Sequence, residues 1–455
     1  MSTTSSRPAA HRTDRAPQAR RPHARRAAPF AGCALAFAVV LGACGGGGSG
    51  GESAVPATID PAHPFPTLDG VDGVDAEPTV VTRGGAQPDA QATIIVRGST
   101  GDGDHALDDL PRRSAPVALG SPEYAVQGFL WWRPEVAERD LLLVKDMGFR
   151  WVKQMFSWRD IETDKGVLHW EKPDHIVRKA IEYQDINLLI RLDFQPEWAR
   201  SGCTDQGPPS DPADYFAYVG AVAARYRGLV AAYQIWNEPN LAREWCDQTP
   251  DPAAYAALLK GAYAAIKAAD PTAYVISAGL SPTGTDSAQA KPDEAYLQGL
   301  YTAMGGSPKG YFDLLGVHAA GFAAPPETSP DEAAASQAYG GERFFTFRHV
   351  EDLRAIMERN GDADTRVAIL EMGWTSDSVH PDYAWHAVTE QTKADYLVRA
   401  YAYAKQNWSP WMTIMSTIYL CNADWTASDE QYWWCINNPD GTPRPAFGAL
   451  KAMPK

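Results

Sequence analysis

The sequence predicts an α/β fold, a (β/α)8 TIM barrel in which eight parallel strands close on themselves inside a ring of helices. Three observations point to it. From about residue 121 onward, eight apolar, β-branched runs alternate with segments of helical period. Several of those runs are continuously apolar, as a strand covered on both faces must be. The alternation lasts about 330 residues, a length that suits one closed barrel. A doubly wound open sheet fits less well, because no Gly-rich phosphate loop follows the first run.

Composition sets the outer bounds. The chain has 455 residues, 45% hydrophobic and 11% aromatic, with 15 Trp and 19 Tyr. That is enough to bury a large core, and chain-wide disorder is excluded. With 41 Lys and Arg against 56 Asp and Glu, the net charge is −15. Such a balance argues against a partner bound through its phosphates, so nucleic acid is not expected.

The N-terminal segment stands apart. Residues 1–30 carry seven Arg and one acid, Asp14, for a charge of +6, which leaves about −21 on the remainder. The apolar run Phe30–Ala43 follows, 14 residues long and shorter than the roughly 20 needed to span a bilayer. A basic head and a short apolar run read as an export signal over 1–43. Its end, Leu41-Gly42-Ala43-Cys44, resembles a bacterial lipobox. That resemblance implies lipid on Cys44, an exported chain at the cell surface or in the periplasm, and attachment to a membrane through the N-terminal lipid. Residues 44–120 are rich in Gly, Pro and Asp and lack apolar periodicity, so they are expected to be a disordered tether ahead of the domain at 121–455.

The elements of that domain follow in order. Strands are expected at Tyr124–Trp131, Arg150–Phe156, Asn187–Phe194, Ala232–Trp236, Tyr274–Ala278, Phe312–Val317, Arg366–Leu370 and Trp411–Tyr419. Helices are expected at Pro134–Met147, Pro173–Tyr183, Asp293–Met304, Glu342–Arg359, Thr389–Gln406 and Pro445–Met453. Two more open on Asp211-Pro212 and Asp251-Pro252, where an Asp cap precedes a Pro at the first helical position.

In a barrel, chemistry is done where strands run into loops at the C-terminal face. The fourth strand ends in Gln234-Ile235-Trp236-Asn237-Glu238-Pro239, and the seventh in Ile369-Leu370-Glu371-Met372. Each delivers one Glu to the same end of the barrel. Two carboxyl groups, one protonated and one ionised, are what cleavage of a glycosidic bond needs. Trp236-Asn237-Glu238-Pro239 and Leu370-Glu371 resemble the acid/base and nucleophile strands of clan A glycoside hydrolases, which include family 5 cellulases and family 39 β-xylosidases. The resemblance covers about 120–450. It implies that Glu238 is the general acid/base, that Glu371 is the nucleophile, and that Asn237 bonds the sugar 2-hydroxyl. A desolvated carboxyl near a second, charged one is expected to have its pKa raised, as an acid requires.

Supporting residues follow from position. His318, ending Leu315-Gly316-Val317-His318, is expected to line the site or orient Glu371. Arg191 is expected either to pair with a catalytic carboxylate or to form a structural ion pair. Trp374 and Trp425 sit just past the seventh and eighth strands, where their rings would stack on the CH face of a pyranose. Four Cys lie in the barrel, and Cys203–Cys246 and Cys421–Cys435 are the expected disulfides; no C-x-x-C spacing supports zinc. The resulting reading is an exported, monomeric, retaining β-glycosidase acting on a carbohydrate and needing no metal or cofactor. The alternative is a carbohydrate-binding or transglycosylating protein on the same barrel.

Overall fold

The computed structural model describes residues 107–131, 133–183, 186–203 and 206–455. The export signal, Cys44 and most of the expected tether lie outside the described residues. Eight strands form a closed parallel barrel in sequence order. They are β1 Glu123–Gln127, β2 Trp151–Ser157, β3 Asn187–Asp193, β4 Ala232–Ile235, β5 Tyr274–Ile276, β6 Leu314–Ala320, β7 Arg366–Gly373 and β8 Met412–Thr417. Closure is through β8 against β1, with Glu123 opposite Ile414 and Val126 opposite Thr417. No helix among the described residues is long and apolar enough to cross a membrane.

Local sequence accounts for the helices that separate the strands. Asp211 and Asp251 each cap a helix by accepting from a backbone N–H, Ala213 at 3.0 Å and Ala253 at 2.8 Å, with Pro next in line. The segment expected to be helical from Glu342 becomes an α-helix only at Val350. A short helix at Pro330–Ala335, not anticipated, carries a capping box between Ser329 and Glu332.

Period-two alternation divides the apolar residues into two cores. Ala125, Trp151, Leu189, Ala232, Ile276, Leu314, Ala368 and Ile414, at least one from every strand, fill the barrel interior. Their neighbours Val126, Val152, Ile190, Tyr233, Val275, Leu315 and Val367 face the helical shell. The stretch 107–120, assigned to the tether from its composition, lies against the barrel. Val117 and Leu119 pack on the interior cluster, Arg113 N–H donates to Gly228 O at 2.9 Å, and Arg366 donates to Gly120 O at 2.6 Å.

One irregularity matters for the site. On β7 the register against β6 passes from Val317 opposite Ile369 directly to His318 opposite Glu371. Leu370 is therefore an extra residue, and the same shift appears against β8 between Ile369 and Met372. Such a bulge re-aims the side chains beyond it. Leu370 belongs to the interior cluster and Met372 to the outer one, so Glu371 follows an inward Leu and still reaches the interior.

Candidate active site

The end of β4 is built by two residues in the left-handed region, Trp236 at φ 67° and Glu238 at φ 39°. Non-glycine residues there cost about 1–3 kcal/mol each and are held by their surroundings. Here the holding contacts are the Trp236 indole N–H donating to Glu244 O at 2.9 Å and the Glu238 N–H donating to Gly279 O at 3.1 Å. Ile235 and Trp236 consequently both face the outer shell. Glu238 is fully buried.

His318 lies between the two glutamates. Its Nδ1 is 3.0 Å from Glu238 Oε1 and 3.8 Å from Glu371 Oε2. Those two oxygens are therefore at most about 7 Å apart, a range that contains the ~5 Å spacing of double displacement. The ring sits against Gly279, where a Cβ would fall 2.1 Å from His318 Cδ2, so only glycine fits. His318 Nε2 and Glu371 Oε2 are buried with no hydrogen-bond partner among the described residues.

Each carboxyl has its own cation. Glu371 Oε1 accepts from Lys153 Nζ on β2 at 2.7 Å, both side chains 1% exposed or less. Burial pulls the Lys153 ammonium down and Glu371 pulls it part of the way back. Glu238 Oε2 accepts from Arg243 Nη2 at 2.9 Å. Burial alone would raise the Glu238 carboxyl, but the hydrogen bond and electrostatic pull of His318, and then of Arg243, outweigh it and bring it to about 2. This reverses the expectation of a raised pKa, because sequence reading supplied the neighbouring carboxylate and not the two donors. Arg243 also approaches Glu244 Oε1 at 3.4 Å. Glu244 is raised to about 8 by burial, against the pull of Arg243, and its Oε2 accepts from Gln206.

The other expected site residues divide. Asn237 is buried and its Oδ1 accepts from Gln234 at 3.1 Å. Arg191 pairs with Asp193 on the same strand at 2.7 Å, the structural alternative, while the cation on Glu371 is Lys153. Trp374 is not a platform: it is fully buried, its indole N–H donates to Ala324 O at 2.9 Å, and Phe347 and Tyr396 pack on it. Trp425 is packed edge-on against Phe129 and lies 5.3 Å from Tyr419, which stands near both glutamates. Cys421–Cys435 is a disulfide. The expected Cys203–Cys246 bond is not formed. The segment that meets Cys246 is instead 206–207, through a Cys246 N–H to Gln206 O bond at 2.7 Å and the close approach of Gly207 to Cys246 Cβ.

Lys153 was missed by sequence reading, although a signal existed. A lysine inside a strand covered on both faces needs a buried counter-charge. Arg243 left no comparable mark, since its loop follows no periodicity. Among the described residues one set of side chains has metal-ligand proximity, Glu294, His349 and Asp352. Both His349 nitrogens already face carboxylates, Asp293 at 2.8 Å and Asp352 at 3.2 Å. Although burial lowers it, those partners raise the imidazole to about 10, so this is an ion cluster holding a proton where a metal would need a lone pair.

No family model matches the chain, and no curated protein does. Solved structures share the fold. A family 39 glycoside hydrolase from Bacteroides cellulosilyticus WH2 has 17% identity and a TM-score of 0.51, covering 73% of this chain and 63% of that one. The match thus spans less than two thirds of that protein. GH5_18 from Streptomyces cattleya, solved in complex with GlcNAc, has 15% identity and a TM-score of 0.52, covering 73% of this chain and 80% of that one. At these identities the likeness is one of fold: the chain is built as an eight-stranded barrel of the kind those glycoside hydrolases use.

Proposed function

We propose that the protein is a retaining β-glycosidase, with Glu238 as general acid/base and Glu371 as nucleophile. The observation that carries this reading is the pair of buried carboxyls near the ends of β4 and β7, with His318 Nδ1 3.0 Å from one and 3.8 Å from the other, so that their facing oxygens are no more than about 7 Å apart. In the first step Glu371 attacks the anomeric carbon while Glu238 protonates the departing oxygen. In the second, water attacks the glycosyl-enzyme ester and Glu238 takes its proton. Lys153 holds one oxygen of Glu371 in place, which leaves Oε2, with no hydrogen-bond partner among the described residues, for the sugar. Asn237, beside Glu238 on the same strand end, is assigned to the sugar 2-hydroxyl. The lipobox-like Leu41–Cys44 supports an exported, lipid-anchored location. A Cys44→Ser chain that still partitions with membranes would overturn that part.

The test is hydrolysis of a panel of aryl β-glycosides and β-glucan, xylan and mannan polymers, with the anomer first released read by NMR. Glu238→Gln and Glu371→Gln should each lower kcat/KM by about 10²–10⁴-fold or more. Near-normal turnover in either variant, or release of the inverted anomer, refutes the assignment.

A further inference from the structure

The charge arrangement around Glu238 suits a base and not an acid. Both of its oxygens are engaged, Oε1 by His318 and Oε2 by Arg243, and its side chain is 1% exposed. Each oxygen keeps a second lone pair, but with the side chain 1% exposed a glycosidic oxygen reaches this carboxyl only if a neighbouring group gives way. His318 is poorly placed to yield, being fully buried on β6 with its ring laid against Gly279. Arg243 is better placed. It sits on the short 3-10 turn Ala242–Trp245 with 27% of its side chain exposed. A second carboxyl is already at hand, Glu244 Oε1 at 3.4 Å, and is itself fixed by Gln206.

We propose that Arg243 is a latch on the acid/base: in the resting site it covers Glu238 and keeps it ionised, and an incoming sugar shifts the guanidinium onto Glu244, which frees Glu238 to take up a proton and meet the glycosidic oxygen. The proposal rests on the glycosidase reading. Its protons balance, because Glu238 gains one and Glu244 gives one up through solvent as it becomes the counter-ion of Arg243. The resting electrostatics match that exchange. Glu244 is raised to about 8 by burial, whereas Glu238 is brought to about 2 by the donors that outweigh its burial. The remaining titratable groups around Glu238 are His318 on β6, Glu371 on β7 with Lys153 on β2 behind it, and Tyr419 beyond β8. Glu430, also beyond β8, faces Arg243. None of these has to change partner.

The experiment compares the pH dependence of kcat/KM on a β-glycoside with a poor leaving group for the wild-type chain, Arg243→Gln, Arg243→Lys and Glu244→Gln. Alongside, carboxyl-¹³C-glutamate NMR follows titration of Glu238, assigned with Glu238→Gln. In Arg243→Gln the Glu238 titration and the alkaline limb should rise together by about one pH unit or more, equivalent to tenfold in the proton equilibrium. Arg243→Lys should keep the wild-type limb. Glu244→Gln, which removes the landing site, should lower kcat/KM at every pH without raising the limb. An arginine that never leaves Glu238 would also let Glu238 titrate higher in Arg243→Gln, but it would have no use for a landing site, so Glu244→Gln would keep the wild-type kcat/KM, and that result overturns the latch. So does a limb that rises in Glu244→Gln. A wild-type chain inert on every glycoside strikes the glycosidase reading itself, whereas an active one whose limb stays put in Arg243→Gln strikes the latch alone.

Discussion

Replacing Lys153 by Met tests how far the site is held by charge. Lys153 and Glu371 meet at 2.7 Å with side chains 1% and 0% exposed, so solvent screens the pair little. At an effective dielectric near 20, unit charges at that distance attract by ~6 kcal/mol. The desolvation cost of both ions offsets much of this, and removing one partner of such a pair typically costs about 3–5 kcal/mol, because the other charge is stranded. The figure is a large part of the ~5–15 kcal/mol that separates folded from unfolded chains. Lys153→Met should therefore lower the urea midpoint markedly with an unchanged slope. The double variant Lys153→Met/Glu371→Gln, which strands no charge, should recover most of the loss. A single variant costing under about 1 kcal/mol, or a double variant no more stable than the single, would show that the pair does not hold this part of the barrel.

Three further outcomes follow from the same geometry. Gly279→Ala would set a Cβ 2.1 Å from the His318 ring; displacing the imidazole should cut kcat/KM by at least about tenfold, and an unchanged rate would mean His318 is not held there. Because the Glu238 carboxyl is depressed from 4.5 to about 2 in the folded chain, the stability it contributes is present above pH 4.5 and drains away as pH falls through about 2. Thermal unfolding of wild type should thus lose ground to Glu238→Gln across that window, and parallel curves would refute the depressed value. Cys421 and Cys435 close a loop across 14 positions, so replacing both by Ser should cost about 3 kcal/mol, read as a lowered melting temperature that reducing agent reproduces in wild type.

The architecture was legible because its signal is collective. Each expected strand overlaps an observed one, with ends that differ by a few residues, and the two Asp-Pro helix starts fall where the caps are. Eight runs voting for one topology survive an error in any of them. The positions of the two glutamates were legible for the same reason, since each lies within three residues of the C-terminal end of a strand. What failed to show was whatever depends on a single contact between distant segments. Trp374 looked like a platform from its position past β7, but a loop carbonyl at Ala324 and the rings of Phe347 and Tyr396 claim it for the core. Cys203 and Cys246 follow neighbouring strands, yet loop conformation decides whether they meet, and it brings 206–207 to Cys246 instead. Glu238's charge state turned on Arg243 and His318, respectively 5 and 80 positions along the chain.

The extra residue in β7 has a consequence for how such a barrel changes over time. Side-chain direction on a strand is a matter of parity, inward or outward, and inserting or deleting one residue flips everything beyond it. Leu370 is inward and belongs to the packed floor, while Glu371, the very next residue, also reaches the interior, opposite His318. The bulge resets parity between them. The floor below and the carboxyl above are thereby decoupled: straightening the bulge with Leu370 kept in the ladder would turn Glu371 outward into the helical shell, whereas deleting Leu370 would leave Glu371 next after outward-facing Ile369, still inward and opposite His318, and would take one apolar group out of the packed floor.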